Sequence, residues 1–181
     1  MLKIVENALT AETYGRLRDK VQFRPYSPDD AAAALRNSLF TTEVREGEET
    51  LGIARVVGDG RIVFFIKDVV VDPACQGRGI GHMLLDSLLR YINGAGCEGA
   101  YVGLMATPGT EGFYKKYGFI QRPAPGFGHG MVQFRMRVSN RSFSTIMGTS
   151  FFSSTAPRVY RTVRVSPSTV IRYWPRETAS V

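Results

Sequence analysis

Apolar residues are concentrated in two neighbouring stretches of the chain, which are separated by a turn rich in glycine. The first stretch, Arg61–Asp72, ends on consecutive valines, whose β-branched side chains suit a strand. Pro73 ends this strand because proline has no N–H to donate to a sheet. The second stretch has the spacing of an amphipathic helix, with apolar residues at Leu84, Leu85, Leu88, Leu89 and Ile92. The pattern therefore predicts a buried strand, a sharp turn and a helix.

Shorter periodic segments lie on both sides of this unit. Thr10 precedes apolar side chains spaced four apart, and Ser27-Pro28 precedes two acidic residues, so each position predicts the start of a helix. A further short helix is predicted at Phe113–Tyr117. Strands are predicted at Leu2–Val5, Phe40–Arg45, Thr50–Val57, Ala100–Met105, Gly118–Arg122 and Met131–Val138. The predicted order is β-α-α-β-β-β-α-β-α-β-β, which is typical of a mixed α/β domain.

The turn between the long strand and its helix carries the first sign of chemistry. Gly77, Gly79 and Gly81 leave backbone N–H groups bare at the positive end of the helix dipole, which is a seat for phosphate or pyrophosphate. No Gly-Lys-Ser/Thr follows, so the turn is not a P-loop. The glycine spacing is one residue short of a dinucleotide fingerprint, and Glu98 precedes the next strand rather than ending it. The alternative is that the turn binds no ligand and needs its glycines only for close packing between the strand and the helix.

Gln76-x-x-Gly79-x-Gly81 resembles the acyl-CoA-binding loop of the GNAT superfamily of N-acetyltransferases. The run Gly112–Phe119 is similar to the second signature of that family, and the two motifs follow in the family's order. The resemblance covers roughly residues 1–136. It implies a GNAT acyl-CoA N-acyltransferase fold, in which about seven strands form a mixed, mostly antiparallel, splayed sheet flanked by about four helices. The predicted catalytic domain is 1–138.

The same resemblance implies acetyl-CoA as co-substrate and no metal. The backbone N–H of Val69 or Val70 would donate to the acetyl carbonyl, and Val71 would pair with pantetheine. Thr107 stands where many members have an asparagine that helps to order CoA, so it replaces that residue only in part. The loop residues implied to hold the pyrophosphate are Gln76, Gly77, Arg78, Gly79, Ile80 and Gly81.

Acetyl transfer to an amine needs a neutral amine, a donor for the oxyanion and a proton for the departing thiolate. By the resemblance, Tyr114 is the candidate general acid, near the CoA sulfur; a core aromatic residue is the alternative. Asp68 is the candidate base, or it attracts the ammonium while water takes the proton. An ion pair with Lys67 or Arg55 is the alternative for Asp68.

The resemblance also implies where the acceptor binds. Phe23, Arg24 and Tyr26 lie on the break between the first two helices, a region that forms one wall of the acceptor site in the family. Glu111 and His129 are further candidates, the histidine because it lies in a glycine-rich loop. The expected activity is acetylation of a small primary amine. A protein or peptide acceptor and a non-catalytic acyl-CoA sensor are the alternatives.

Composition limits the number of domains and the partners that the protein is expected to have. With 181 residues, 44% of them hydrophobic, the chain is long enough for one packed domain. The apolar run Ile62–Ile66 is too short to cross a bilayer, and the first ten residues lack a secretory apolar core, so no membrane partner is expected. Cys75 and Cys97 make no disulfide framework or zinc motif, which favours reduced thiols and a cytoplasmic location. A homodimer is left open.

The net charge of +7 is unevenly distributed. Residues 139–181 carry six arginines, no lysine and one glutamate, so five of these charges lie there, and no nucleic-acid partner is expected for the catalytic part. This Ser/Thr/Arg-rich extension has no sustained periodicity and is predicted to be disordered. A misassigned gene end and an arginine-rich arm for an anionic partner are the alternatives.

Overall fold

The computed structural model describes residues 1–133, of which Met1–Gly130 form one compact unit. Five strands form one sheet in the order β1-β2-β3-β4-β5, antiparallel except for the parallel pair β4–β5. The strands are β1 (Leu2–Glu6), β2 (Phe40–Glu46), β3 (Glu49–Gly58), β4 (Val63–Val71) and β5 (Tyr101–Leu104). The helices are α1 (Ala11–Lys20), α2 (Pro28–Arg36), α3 (Ile80–Ala95) and α4 (Glu111–Lys115). The predicted mixed α/β class is confirmed.

The two predicted helix starts in the first part of the chain are confirmed by their caps. The Thr10 hydroxyl accepts a hydrogen bond from the Thr13 N–H, 3.2 Å away, at the start of α1. The Ser27 hydroxyl accepts one from the Asp30 N–H at 3.1 Å, with Pro28 as the first residue of α2. Each cap satisfies a backbone donor that the first helical turn leaves without a partner.

Helices cover both faces of the sheet. On one face α3 packs its apolar stripe against β2, β3 and β4, and the side chains of Leu84, Leu85 and Leu88 are fully buried. On the other face α1 packs Tyr14 and Leu17 against β3 and β4. Because both faces are covered, the central strands are buried almost along their whole length. The sheet is therefore a rigid platform for any site at its edges.

The sheet splays where β4 leaves β5. The two strands pair only over Val63–Ile66 and Tyr101–Leu104. Beyond Ile66, the edge of β4 that faces β5 has no strand partner among the described residues, while its other edge stays paired with β3. The family resemblance implies such a gap, and it leaves a row of β4 backbone groups available to a ligand.

The predicted strand at Gly118–Arg122 is wrong. The N–H groups of Tyr117 and Phe119 donate to the Tyr114 carbonyl, at 2.9 and 3.3 Å, so the chain curls around the end of α4. Gly118 has a φ of +82°, which an extended strand does not allow. Helix α4 also begins at Glu111 rather than at Phe113.

The end of the predicted domain is only partly described. Met131–Gln133, the start of the last predicted strand, is not in a strand, and residues 134–138 lie outside the described residues. The described part therefore has five strands where about seven are expected. The predicted domain boundary after residue 138 and the extension 139–181 also lie outside the described residues.

Candidate active site

The turn before α3 has the form of an anion seat. Gly77 and Gly79 have φ values of +78° and +79°, and a Cβ built on either would meet no atom within 4 Å. Gly79 is the N-cap of the 16-residue α3 and provides no side-chain hydrogen bond to it. The first helical bond runs from the Met83 N–H to the Gly79 carbonyl at 3.1 Å, so the N–H groups before Met83 have no helical acceptor. Such a helix start favours a bound phosphate group.

The other residues of the loop differ in their exposure to solvent. Ile80 is buried against the core and fixes the loop to the sheet, whereas Gln76 is exposed. A Cβ on Gly81 would lie 3.6 Å from the Phe113 ring, so α4 lies directly beside the first turn of α3. The loop and the second signature motif, which were predicted to belong to one site, are therefore neighbours.

Arg78 points to the edge of the sheet. Its Nη2 lies 2.8 and 3.0 Å from the two carboxylate oxygens of Glu46, at the end of β2. This bond lowers the pKa of Glu46 below its ordinary value and raises the pKa of Arg78. Both side chains are exposed, so the pair is open to a competing anion. The expected contact of Arg78 with pyrophosphate stays a prediction.

The free edge of β4 presents two backbone donors. The Asp72 N–H donates to the Leu51 carbonyl at 2.8 Å, and Val70 lies opposite Ile53 two residues earlier on β4. Because N–H directions alternate along an antiparallel strand, those of Val69 and Val71 point away from β3. They face the gap between β4 and β5. Of the two predicted acetyl donors, the geometry favours Val69 over Val70.

Asp68 lies at a bulge in β4. Lys67 pairs with Arg55 and Val70 with Ile53, so Asp68 and Val69 together lie opposite one residue of β3. Asp68 has a φ of +55°, in the left-handed region. That conformation costs a residue other than glycine about 1–3 kcal/mol and persists where surrounding contacts determine it.

The contacts that hold Asp68 are charged and buried. Its side chain is 4% exposed, and its carboxylate accepts hydrogen bonds from Arg55 Nε at 2.7 Å, from the Tyr14 hydroxyl at 2.9 Å and from Arg18. Burial, followed by the Asp68 charge, raises the pKa of Tyr14 to about 12. The ion pair with Arg55 considered from the sequence is present, and a further pair with Arg18 accompanies it. The role of Asp68 as base stays a prediction.

A cavity of about 490 Å³ opens between α1 and α2. Of the three acceptor candidates on the break between α1 and α2, Phe23 and Tyr26 line the cavity and Arg24 does not. The Arg24 carbonyl instead accepts a hydrogen bond from Arg18 Nη2 at 2.9 Å. The remaining wall is formed by Ala11, Glu12, Tyr14, Gly15, Arg18, Asp19, Pro25, Pro28 and Ala31.

Arg18 lies in an aromatic box at this cavity. Its guanidinium carbon is 5.2 Å from the ring centroids of Tyr14 and Phe23 and 4.9 Å from that of Tyr26. Stacking on ring faces suits a guanidinium group. The sequence analysis missed Arg18, because nothing in its neighbourhood on the chain marks it.

Tyr114 lies on α4, edge-on to Phe113 with 5.0 Å between ring centroids. Burial raises its pKa, which keeps the hydroxyl protonated in neutral solution. Its ring packs against the core, while its hydroxyl has no hydrogen-bond partner among residues 1–133. A half-buried tyrosine with a raised pKa retains its proton for donation.

The remaining predicted residues are spread around α4 and the last loop. The Thr107 carbonyl accepts hydrogen bonds from the N–H and the hydroxyl of Thr110, at 3.0 and 2.7 Å, and so shapes the turn into α4. Glu111 lies in the first turn of α4, and His129 is exposed. Neither of these two lines the cavity between α1 and α2. Their acceptor roles and the CoA role of Thr107 stay predictions.

Three broader features concern the described part of the chain. No helix within residues 1–133 has the length and apolar character needed to cross a membrane. The same residues contain no group of three or more His, Cys, Asp or Glu side chains arranged to hold a metal ion. Cys75 and Cys97 are free and half-buried.

The splayed sheet and the uncapped helix start have the form expected of an acetyltransferase fold. The family model described as an acetyltransferase (GNAT) domain matches residues 19–140. The protein belongs to the GNAT acetyltransferase family. The family expectation from the two sequence motifs is therefore confirmed.

The similarity to individual relatives extends over only part of each chain. Serotonin N-acetyltransferase 2, chloroplastic, of Oryza sativa is 34% identical over 92 residues, which are 51% of this chain and 45% of that protein. Histone acetyltransferase TAP1 of Glycine max is 30% identical over 118 residues, 59% of this chain and 50% of that protein. The chain thus spans about half the length of these curated relatives. A solved Staphylococcus aureus protein of unknown function is 30% identical with a TM-score of 0.67, covering 74% of this chain and all of that one.

Proposed function

We propose that the protein transfers an acetyl group from acetyl-CoA to the primary amine of a small molecule. One observation carries the proposal: the Val69 and Val71 N–H groups face the gap beside β4, and the short connection after β4 ends in the uncapped start of α3. An extended acyl-CoA fits this arrangement, with pyrophosphate at Gly77–Gly81, pantetheine along Val71 and the thioester at Val69.

The proposed reaction is direct attack on the thioester. The amine nitrogen forms a bond to the carbonyl carbon, and the Val69 N–H stabilises the negative charge that develops on the carbonyl oxygen. The C–S bond then breaks, and Tyr114 gives its hydroxyl proton to the CoA sulfur. The proton that the amine loses passes to water. The products are an acetamide and free CoA, and Tyr114 regains a proton from solvent.

Asp68 is assigned an electrostatic and orienting role in this proposal. Its carboxylate already accepts hydrogen bonds from Arg18, Arg55 and Tyr14, and its side chain is nearly inaccessible. A group held by three donors is a poor candidate for abstracting a proton from a substrate. We therefore favour water as the base, which the sequence analysis left open.

A small acceptor is favoured by the cavity beside Phe23 and Tyr26. Its volume of about 490 Å³ falls within the range of small-molecule sites, roughly 300–1,000 Å³. The rice relative is named for a small aromatic amine, serotonin, and the soybean relative for histones. The protein or peptide acceptor is therefore the second candidate. The cytoplasmic location stays a prediction, since the rice relative is named as chloroplastic.

Release of CoA thiol tests the activity and the acceptor class together. Acetyl-CoA is incubated with the protein and, in turn, serotonin, glucosamine 6-phosphate, spermidine and a lysine-containing histone peptide, and the products are weighed by mass spectrometry. The proposal expects an N-acetylated small amine, with a mass gain of one acetyl group. Acetylation of the peptide alone would select the second candidate. Tight acetyl-CoA binding without thiol release with any amine would indicate a sensor.

A further inference from the structure

Arg18 connects the cavity between α1 and α2 to strand β4. Its side chain is 9% exposed and lies among the rings of Tyr14, Phe23 and Tyr26, which line the cavity. On its other side the guanidinium bonds to the Asp68 carboxylate. One buried group therefore contacts both the predicted acceptor wall and the strand that carries the acetyl donor.

The backbone of Asp68 decides where that donor points. Asp68 has a φ of +55° at the bulge and immediately precedes Val69, whose N–H faces the gap between β4 and β5. A relaxed, extended Asp68 would remove the bulge and turn the residues that follow toward the opposite side of the strand. The bonds to the Asp68 side chain thus help to fix the direction of the Val69 N–H.

We propose that Arg18 is a positioning residue, which holds Asp68 in its left-handed conformation and so keeps the Val69 N–H directed at the acetyl carbonyl. The consequence for rate rests on the proposed acetyl transfer, whereas the effect on the backbone does not. Because the aromatic rings around Arg18 also line the cavity, an acceptor lying against Phe23 or Tyr26 stabilises the same alignment.

Arg55 also binds Asp68, and its guanidinium carbon lies 5.7 Å from the centroid of the Tyr14 ring, but unlike Arg18 it does not line the cavity. It lies on β3 and donates from Nη1 to the Ser38 hydroxyl at 3.2 Å, so the sheet itself fixes its position. Arg18 is on α1, which forms one side of the cavity and also bonds to the end of β4 through the Tyr14 hydroxyl on Asp68 and to the residue after β4 through the ion pair of Lys20 with Asp72. Arg18 is thus the charged link from α1 to the bulge.

Substitutions at Arg18 test the effect on rate. Arg18→Met keeps the length of the side chain and removes the charge, and Arg18→Lys keeps the charge and loses the planar fork. We expect Arg18→Met to lower kcat roughly tenfold or more with the best amine of the panel, with KM for acetyl-CoA changed less than twofold. Arg18→Lys should retain an intermediate kcat.

Arg45→Met is the matched control. Arg45 forms the partly buried ion pair with Glu43 on β2, with 2.9 Å between Nη2 and Oε1, and has no contact with Asp68. The Arg45→Met variant should lower the thermal midpoint as Arg18→Met does, yet its kcat should stay within twofold of the wild-type value. An equal loss of kcat in both variants would mean that Arg18 is merely structural and would overturn the inference.

A double-mutant cycle tests whether Arg18 acts through Asp68. In Asp68→Gly the left-handed φ costs little and no carboxylate remains to be held. Arg18→Met added to Asp68→Gly should therefore lower kcat by less than a further twofold. Losses that simply multiply would contradict the inference.

The Val69 amide signal in the ¹H–¹⁵N spectrum provides a readout without turnover. Arg18→Met should shift this signal and speed its hydrogen exchange, and Arg45→Met should leave it in place. An unmoved Val69 signal in Arg18→Met would overturn the inference. If the wild-type protein transferred acetyl to no amine, the proposed function would fail, and the Val69 signal would still decide the role of Arg18.

Discussion

The Nδ1 atom of His82 lies 2.7 Å from the hydroxyl oxygen of Tyr117, so the first turn of α3 is tied to the turn that follows α4. The His82 ring also meets the Phe113 ring edge-on, with 5.0 Å between centroids. These contacts join the proposed pyrophosphate seat to the helix that carries Tyr114. The position of the proposed acid relative to the cofactor therefore depends on an exposed contact.

Tyr117→Phe tests this contact between α3 and α4. It removes the hydroxyl and keeps the ring, so it should weaken the coupling by about 0.5–1.5 kcal/mol, the ordinary net value of one hydrogen bond. We expect kcat to fall severalfold and the thermal midpoint to change little. The Tyr117 hydroxyl also interacts with Asp86, so Tyr117→Phe added to His82→Ala should cause a smaller loss of kcat than it causes alone. Independent, additive losses would show that the two side chains do not act together.

Gly79→Ala tests the anion seat. The turn would require alanine to adopt the left-handed φ of +79°, which is unfavourable for a residue with a Cβ. The new methyl group would also lie beside the bare N–H groups at the start of α3, so acetyl-CoA binding should weaken about tenfold or more. Gly47→Ala is the matched control, because Gly47 has a φ of +58°, equally open surroundings and a place in the β2–β3 turn. Isothermal titration should find unchanged binding there. Equal weakening in both would place the seat elsewhere.

Tyr114→Phe tests the proposed general acid. Loss of a positioned acid lowers kcat by roughly 10²–10⁴-fold, and the ring contacts with Phe113 remain. Since burial raises the pKa of Tyr114, the wild-type rate should not fall on the alkaline side until the pH exceeds the ordinary tyrosine value of about 10. Tyr91→Phe, which alters a tyrosine stacked on Phe40 in the core, should leave kcat unchanged. A fully active Tyr114→Phe would exclude this role.

Asp72 makes the free energy of unfolding depend on pH in the acidic range. The hydrogen bond from Lys20 lowers its pKa in the folded protein. Because the pKa of Asp72 is lower in the folded than in the unfolded protein, its ionised carboxylate stabilises the fold at pH values above its unfolded pKa of about 3.9. This contribution is lost as the pH falls through the pKa of Asp72 in the folded protein. Urea unfolding should therefore show a stability gap between wild type and Asp72→Asn that is constant near neutrality and shrinks below about pH 4. A gap that widened in acid would contradict this.

Local chemistry made much of the fold predictable. The caps Thr10 and Ser27 act within three residues of themselves, and the glycines at 77 and 79 serve a turn next to them in the chain. Gly118–Arg122 shows the limit of such reasoning. Its apolar pattern suits a strand, but its first two backbone donors, the N–H groups of Gly118 and Phe119, bond to carbonyls at the end of α4.

The charged part of the site could not be predicted in the same way. The Tyr14 hydroxyl and the Arg18 guanidinium reach Asp68 across 54 and 50 residues of chain, and only tertiary packing brings them there. Arg55, one strand position from the residue opposite the bulge and 13 residues from Asp68 along the chain, was within reach of inference. The unusual φ of Asp68 follows from these long-range bonds rather than from its neighbours.

Acetyl-CoA binding is the most direct test of the account. The thermal midpoint is measured with acetyl-CoA, NAD and ATP, each at the same concentration. A ligand at 100 times its Kd stabilises by about 2.7 kcal/mol, which raises the midpoint measurably. The account predicts a rise with acetyl-CoA that NAD and ATP do not produce. No rise with acetyl-CoA, or an equal rise with ATP, would contradict an acyl-CoA site along β4 and the start of α3.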